Sequence, residues 1–116
     1  MFEKGQSIQR VIEESVPGKQ VTIAHVIASP VWELYDSLGL DARGAIGILT
    51  LSPYETAMIA ADYAVKTANV EIGFLDRFTG SVVITGDVES VETALKHVSE
   101  MLEHKLGFLV AEVTKT

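Results

Sequence analysis

Apolar positions fall into blocks whose spacing changes several times along the chain. VTIAHVIA, residues 21 to 28, is rich in β-branched residues and predicts a strand that Pro30 closes. WELYDSLGL after it predicts one or two helical turns stopped at Gly39. GAIGILTL, residues 44 to 51, is apolar without alternation, the pattern of a strand buried on both faces. Ser52, Pro53 and Glu55 then fit N-cap, first helical position and capping-box glutamate, so a helix is predicted from here through ETAMIAADYAVKTA to Asn69. Its alanines at 57, 60, 61, 64 and 68 leave little bulk and let a neighbouring element come close. VEIGFLD and SVVITG predict a hairpin around the bend Arg77-Phe78-Thr79-Gly80. Asp87 caps a second long helix, in which Val88, Val91, Leu95, Val98 and Leu102 recur at steps of three and four until Gly107. FLVAEV predicts a closing strand. The fold class is α/β, in α+β two-layer form: a mostly antiparallel sheet with its helices on one side.

Residues 7 to 16, SIQRVIEESV, fit two patterns. Ile8, Val11 and Ile12 form a helical face, whereas Ile8, Ile12 and Val16 share one side of a strand; local pattern alone favours the helix. Pro17-Gly18 is a turn signal that sets an N-terminal segment, 1–17, apart from the domain at 18–116.

Composition changes the picture in one respect. A chain of 116 residues that is 47% hydrophobic carries more apolar surface than a small domain buries, which predicts subunit interfaces. No stretch approaches the ~20 uncharged apolar residues of a membrane span, and MFEKGQSIQR lacks the apolar region of a signal peptide. The net charge of −7 argues against nucleic acid as a partner. The absence of cysteine removes thiol nucleophiles, disulfides and cysteine-bound metal, and a cytosolic location is expected.

Candidate chemistry is sparse. The glycines at 73, 80 and 86 have neither dinucleotide-binding nor P-loop spacing. His97, Glu100 and His104 lie at i, i+3 and i+7 and form a conceivable metal face, set against a solvated stripe with Glu92, Lys96 and Glu103 in which Glu92 and Lys96 pair. His25 alternates with Val21, Ile23 and Ile27, the pattern of a core or interface histidine. Asp76 and Arg77 are adjacent strand residues with opposite directions, which does not suit a general acid and its charge partner. Ser52, Ser81 and Ser90 have no evident His/Asp partners. The sequence predicts no enzyme, cofactor or metal.

Three long segments, VPGKQVTIAHVIASP, AIGILTLSP and EIGFLDRFTGSVVITGDV, resemble the shell-protein domain of bacterial microcompartments, and the match covers about residues 7 to 116. In ordinary members the strand reading VTIAHVIASP follows the second helix; here it precedes GAIGILTL. That order is similar to the circularly permuted branch found in propanediol- and ethanolamine-utilisation shell proteins. The resemblance implies a non-enzymatic hexameric disc, tiled with other shell proteins around encapsulated enzymes in the bacterial cytoplasm.

It also implies roles. Lys66 in AVKTANV matches the lysine at the disc edge, and Arg77, Phe78, Thr79 and Gly80 match the loop near the six-fold axis. In the permuted branch residues 8 to 16 become a strand, six copies of which form a small axial β-barrel; this replaces the helix reading. Ile8, Ile12 and Val16 then share a face with Arg10 and Glu14. Two departures stand out: Ala28-Ser29-Pro30 replaces the usual proline-arginine-proline, and the axial loop is bulky where ordinary members have small residues. The competing expectations are a ligand-binding regulatory domain of ferredoxin-like type and a metal-dependent enzyme using His97 and His104.

Overall fold

The sheet is built outward from the run read as buried on both faces. A computed structural model describes residues 18–41 and 44–116, and in it Ala45–Ser52 forms the central strand β2. Antiparallel β1 (Gln20–Ile27) and β4 (Ser81–Gly86) flank it, and β3 (Glu71–Asp76) pairs antiparallel with the far side of β4. Three helices, α1 (Trp32–Leu38), α2 (Thr56–Thr67) and α3 (Val88–Leu106), connect or follow these strands. The axial segment, with Ile8, Arg10, Ile12, Glu14 and Val16, lies outside the described residues.

Alternation along β2 feeds two cores. Ala45, Leu49 and Leu51 join Val91, Leu95, Val98 and Leu102 of α3 and the four alanines 57, 60, 61 and 64 of α2 in the main core. Ile46 and Ile48 point the other way, against Tyr35 of α1. The expectation that the helices lie on one side therefore needs correcting: α2 and α3 share a face, and α1 covers part of the opposite one. A strand apolar on both faces needs a cover on both. Close packing is visible at Gly47, where an added Cβ would stand 2.7 Å from Cγ1 of Val91 and 2.9 Å from Cγ1 of Ile84.

The start of α2 also differs. Ser52 is not an N-cap but the last residue of β2, paired with Gln20 across the ladder, and the Ser52–Pro53 peptide is cis. The turn at 53–55 closes through bonds from the Thr56 and Ala57 amides to the Pro53 and Tyr54 carbonyls, at 2.9 and 3.1 Å. Glu55 takes the cap position in αR geometry with no side-chain cap bond. Sheet pairing has taken the serine that the capping box requires.

Helix α3 begins and ends as its sequence signals. Asp87 is extended, its Oδ1 accepting from the Ser90 amide at 2.9 Å, and Gly107 at φ 73° closes the helix. The Phe108 amide returns to the Leu102 carbonyl at 3.0 Å, as in a Schellman end.

The closing strand is two short ones. β5 (Leu109–Val110) and β6 (Thr114–Lys115) both run parallel to β1, opposite Gln20–Val21 and His25–Val26 respectively. Between those patches the β1–β2 register shifts at Val21/Ile23, a bulge that interrupts the ladder. The same bulge changes the facing of His25. Val21, Ala24 and Val26 all enter the main core, so His25 points to the opposite face and is not in line with Val21.

Candidate functional site

The β3–β4 turn is braced from within. The Asp76 carboxylate accepts from the Phe78 amide at 2.9 Å, and the Gly80 amide donates to the Asp76 carbonyl at 2.9 Å. That bond to the Phe78 amide, followed by one from the Thr79 hydroxyl, lowers the Asp76 pKa. Asp76 therefore stays ionised and has no proton to give as a general acid. Arg77 lies over the Phe78 ring at 4.8 Å, and the Thr79 and Ser81 hydroxyls are hydrogen-bonded at 3.2 Å. Phe78 is 73% exposed, so the tip presents a stacked cation and ring to solvent. Gly80, at φ 78°, is buried against the Leu51 carbonyl, and the Leu51 amide donates to the Gly80 carbonyl at 2.9 Å.

Lys66 stands in the last turn of α2, exposed, with its ammonium 2.8 Å from Asp62 one turn earlier. His25 is bonded through both ring nitrogens, to the hydroxyls of Thr114 and, at 2.9 Å, Thr116. With the Thr116 amide donating to the Val26 carbonyl at 2.9 Å, it fastens the end of the chain onto β1. This is an architectural role, and it agrees with reading His25 as something other than a catalytic base.

His97, Glu100 and His104 do not form a centre. His97 is half-buried while Glu100 and His104 are exposed, and among the described residues no three His, Cys, Asp or Glu side chains come together as a metal would need. Glu92 bonds to Lys115 at 3.3 Å, tying α3 to β6. No helix among the described residues is long and apolar enough to cross a membrane.

Sequence reasoning missed an apolar groove beside the tip, lined by Met58, Leu75, Asp76, Arg77 and Phe78. Its available signal was the seven-residue step from Met58 to Val65, which marks a second apolar stripe on α2 beside the alanine face. Exposed Trp32, edge-on to Tyr35 at 6.4 Å, was likewise given no role.

Comparison with known proteins supplies what the geometry leaves open. Residues 45–115 match the family model described as the BMC domain. The chain is 53% identical over 116 residues to the bacterial microcompartment shell protein CutR of Streptococcus intermedius, covering all of both chains. It is 54% identical to the shell protein PduU of Salmonella typhimurium, over 99% of this chain and 100% of that one. To the shell protein EutS of Escherichia coli it is 54% identical, over 93% and 97%. Among solved structures, a flat hexamer of CutR superposes with TM-score 0.84 at 54% identity, over 93% of this chain and 100% of that chain. A screw form of CutR superposes with TM-score 0.82 at 53% identity, over 86% and 100%. Nothing in these relatives supports a ligand-binding regulatory domain or an enzyme, and this chain belongs to the BMC-domain family of bacterial microcompartment shell proteins.

Proposed function

We propose that six copies of this chain close into a ring that tiles with other shell proteins into the wall of a bacterial microcompartment. The chain is a structural shell protein and not an enzyme, as its relatives are. The observation that carries the hexamer is the superposition on the CutR flat hexamer at 54% identity. The same relative also occurs as a screw, so closure depends on a small rotation at a heterologous contact.

Within the ring, the Arg77–Gly80 tip faces the six-fold axis and Lys66 lies at the outer edge. These two sites occupy opposite ends of the α2–β3 pair, because α2 ends at Thr67 close to where β3 begins. A bulky tip with an arginine and an exposed phenylalanine narrows the axis. The circular permutation is supported by the family match starting at residue 45, which leaves β1 and α1 ahead of the matched region. The axial barrel that the resemblance implies for residues 8–16 lies outside the described residues, and residues 18–116 are taken as the shell domain.

Light scattering on the purified full chain tests this reading. Six chains of 12.6 kDa give a particle of about 76 kDa, and electron microscopy at raised concentration shows sheets of discs. A stable 12.6 kDa monomer overturns it.

A further inference from the structure

We infer that Asp62 is a positioning residue for the contact between discs: its carboxylate neutralises the Lys66 ammonium where that lysine faces its own copy. The inference rests on the edge position proposed above for Lys66 and adds a second residue to that contact.

Identical six-fold discs lying side by side in a plane are related across a shared edge by a two-fold axis, so a residue near the middle of the edge faces itself. A lone lysine there brings two ammoniums together, which opposes the contact. This chain does not present a lone lysine. The Lys66 ammonium stands 2.8 Å from Oδ2 of Asp62, one turn earlier on α2, and the two side chains are 69% and 61% exposed. The order is the favourable one, acid four residues N-terminal to base. These are also the only charged residues of α2. In a chain with sixteen acidic and nine basic residues, the helix that carries the edge lysine is neutral.

Ile59, Asp62 and Lys66 recur at steps of four and three on the exposed side of α2, so an apolar, an acidic and a basic group share one stripe. Such a stripe is its own complement. Turned about the two-fold axis, the acid of one disc can meet the base of the next as well as its own. As an isolated surface pair, Asp62 and Lys66 add little to folding. Their weight falls on assembly, where each ammonium loses water and meets a second one.

The test is full-length Asp62→Asn, read as the lowest protein concentration at which sheets of discs appear under the electron microscope. Net charge alone predicts easier assembly, because the loss of one carboxylate takes the chain from −7 to −6. The inference predicts the reverse: sheets require roughly tenfold more protein, a few-fold weakening at one edge compounded over the several edges a disc makes on joining. The defect shrinks as added salt screens the two ammoniums. Asp62→Glu keeps the pair and forms sheets as the parent does. Glu100→Gln, the same loss of charge from the exposed side of α3, forms them at or below the parent's concentration. Positions 62 and 100 are exposed, and circular dichroism and light scattering are expected to show folded hexamers throughout. Asp62→Asn sheets at the parent's concentration or below, or a defect that salt leaves unchanged, overturn the inference; the edge reading stands if Lys66→Asp still separates the discs. Loss of the hexamer itself in Asp62→Asn places Asp62 within the ring and also overturns the inference. If Lys66→Asp tiles as readily as the parent, both fall.

Discussion

Replacing Gly80 by alanine isolates how tightly the hairpin tip is tied to the domain. A Cβ built on Gly80 falls 2.1 Å from the Leu51 carbonyl oxygen and 3.2 Å from both the Leu51 carbonyl carbon and the Tyr54 Cα. All three are backbone atoms, so no side chain can swing away. The left-handed φ of 78° adds about 1–2 kcal/mol for any residue with a Cβ. Relieving the contact means moving the turn off β2, which gives up the 2.9 Å bond between the Leu51 amide and the Gly80 carbonyl, worth about 1 kcal/mol. The expected loss is about 2–4 kcal/mol. Gly107→Ala is the control, since its φ of 73° is nearly the same but nothing lies within 4 Å of its added Cβ. Its cost is the backbone strain alone, partly offset in the unfolded chain, about 1 kcal/mol. Urea unfolding at one fixed protomer concentration measures both, because assembly shifts apparent stability. If Gly80→Ala costs no more than Gly107→Ala, the Leu51 contact does not constrain the tip.

Three further outcomes are expected. Lys66→Asp leaves hexamers intact in light scattering but stops them forming sheets under the electron microscope, because like charges would meet across disc edges; sheets as abundant as the parent's refute the edge role. The Asp87 pKa is lowered by its bonds to the Ser90 amide and then the Ser90 hydroxyl, so its contribution to stability is complete above the usual 3.8 and is lost as pH falls through the folded value. Asp87→Ala accordingly lowers the melting temperature at pH 7, by a difference that shrinks below pH 3.8; a constant difference refutes the capping account. Deleting residues 1–16 leaves a hexamer of nearly unchanged stability with an uncovered axis, and loss of the ring on deletion assigns those residues to the main contact.

Much of the fold was legible because its signals are local. The β3–β4 bend and α3 were set by turn residues, by Asp87 and Gly107, and by a regular apolar spacing between them. The errors came where distant pairing decided the outcome. Ser52 had all the features of a helix cap, but Gln20 holds it in the sheet. His25 changed face because one extra residue in β1 shifts the register against β2, something no single-strand pattern displays. The second layer was legible in principle: a run apolar on both faces requires two covers, and WELYDSLGL was the element left to supply the second. Of the site, Lys66 and Arg77–Gly80 came from resemblance alone. The groove at Met58 and Leu75 escaped because its parts are seventeen residues apart in sequence and join only when α2 folds back over β3.

The fastening of the chain end onto β1 has a kinetic consequence. His25 and Thr116 are separated by 91 positions, so closing this loop waits on nearly the whole domain. Yet β6 adds only two residues of ladder, and Thr114 to Thr116 are all exposed. An element that forms late and holds little surface also opens first, well before the core of α3 and β2 gives way. Amide exchange should therefore be faster at Thr116 than anywhere in β2, with a free energy of opening far below that of global unfolding. Each such opening bares the outer edge of β1 for a moment.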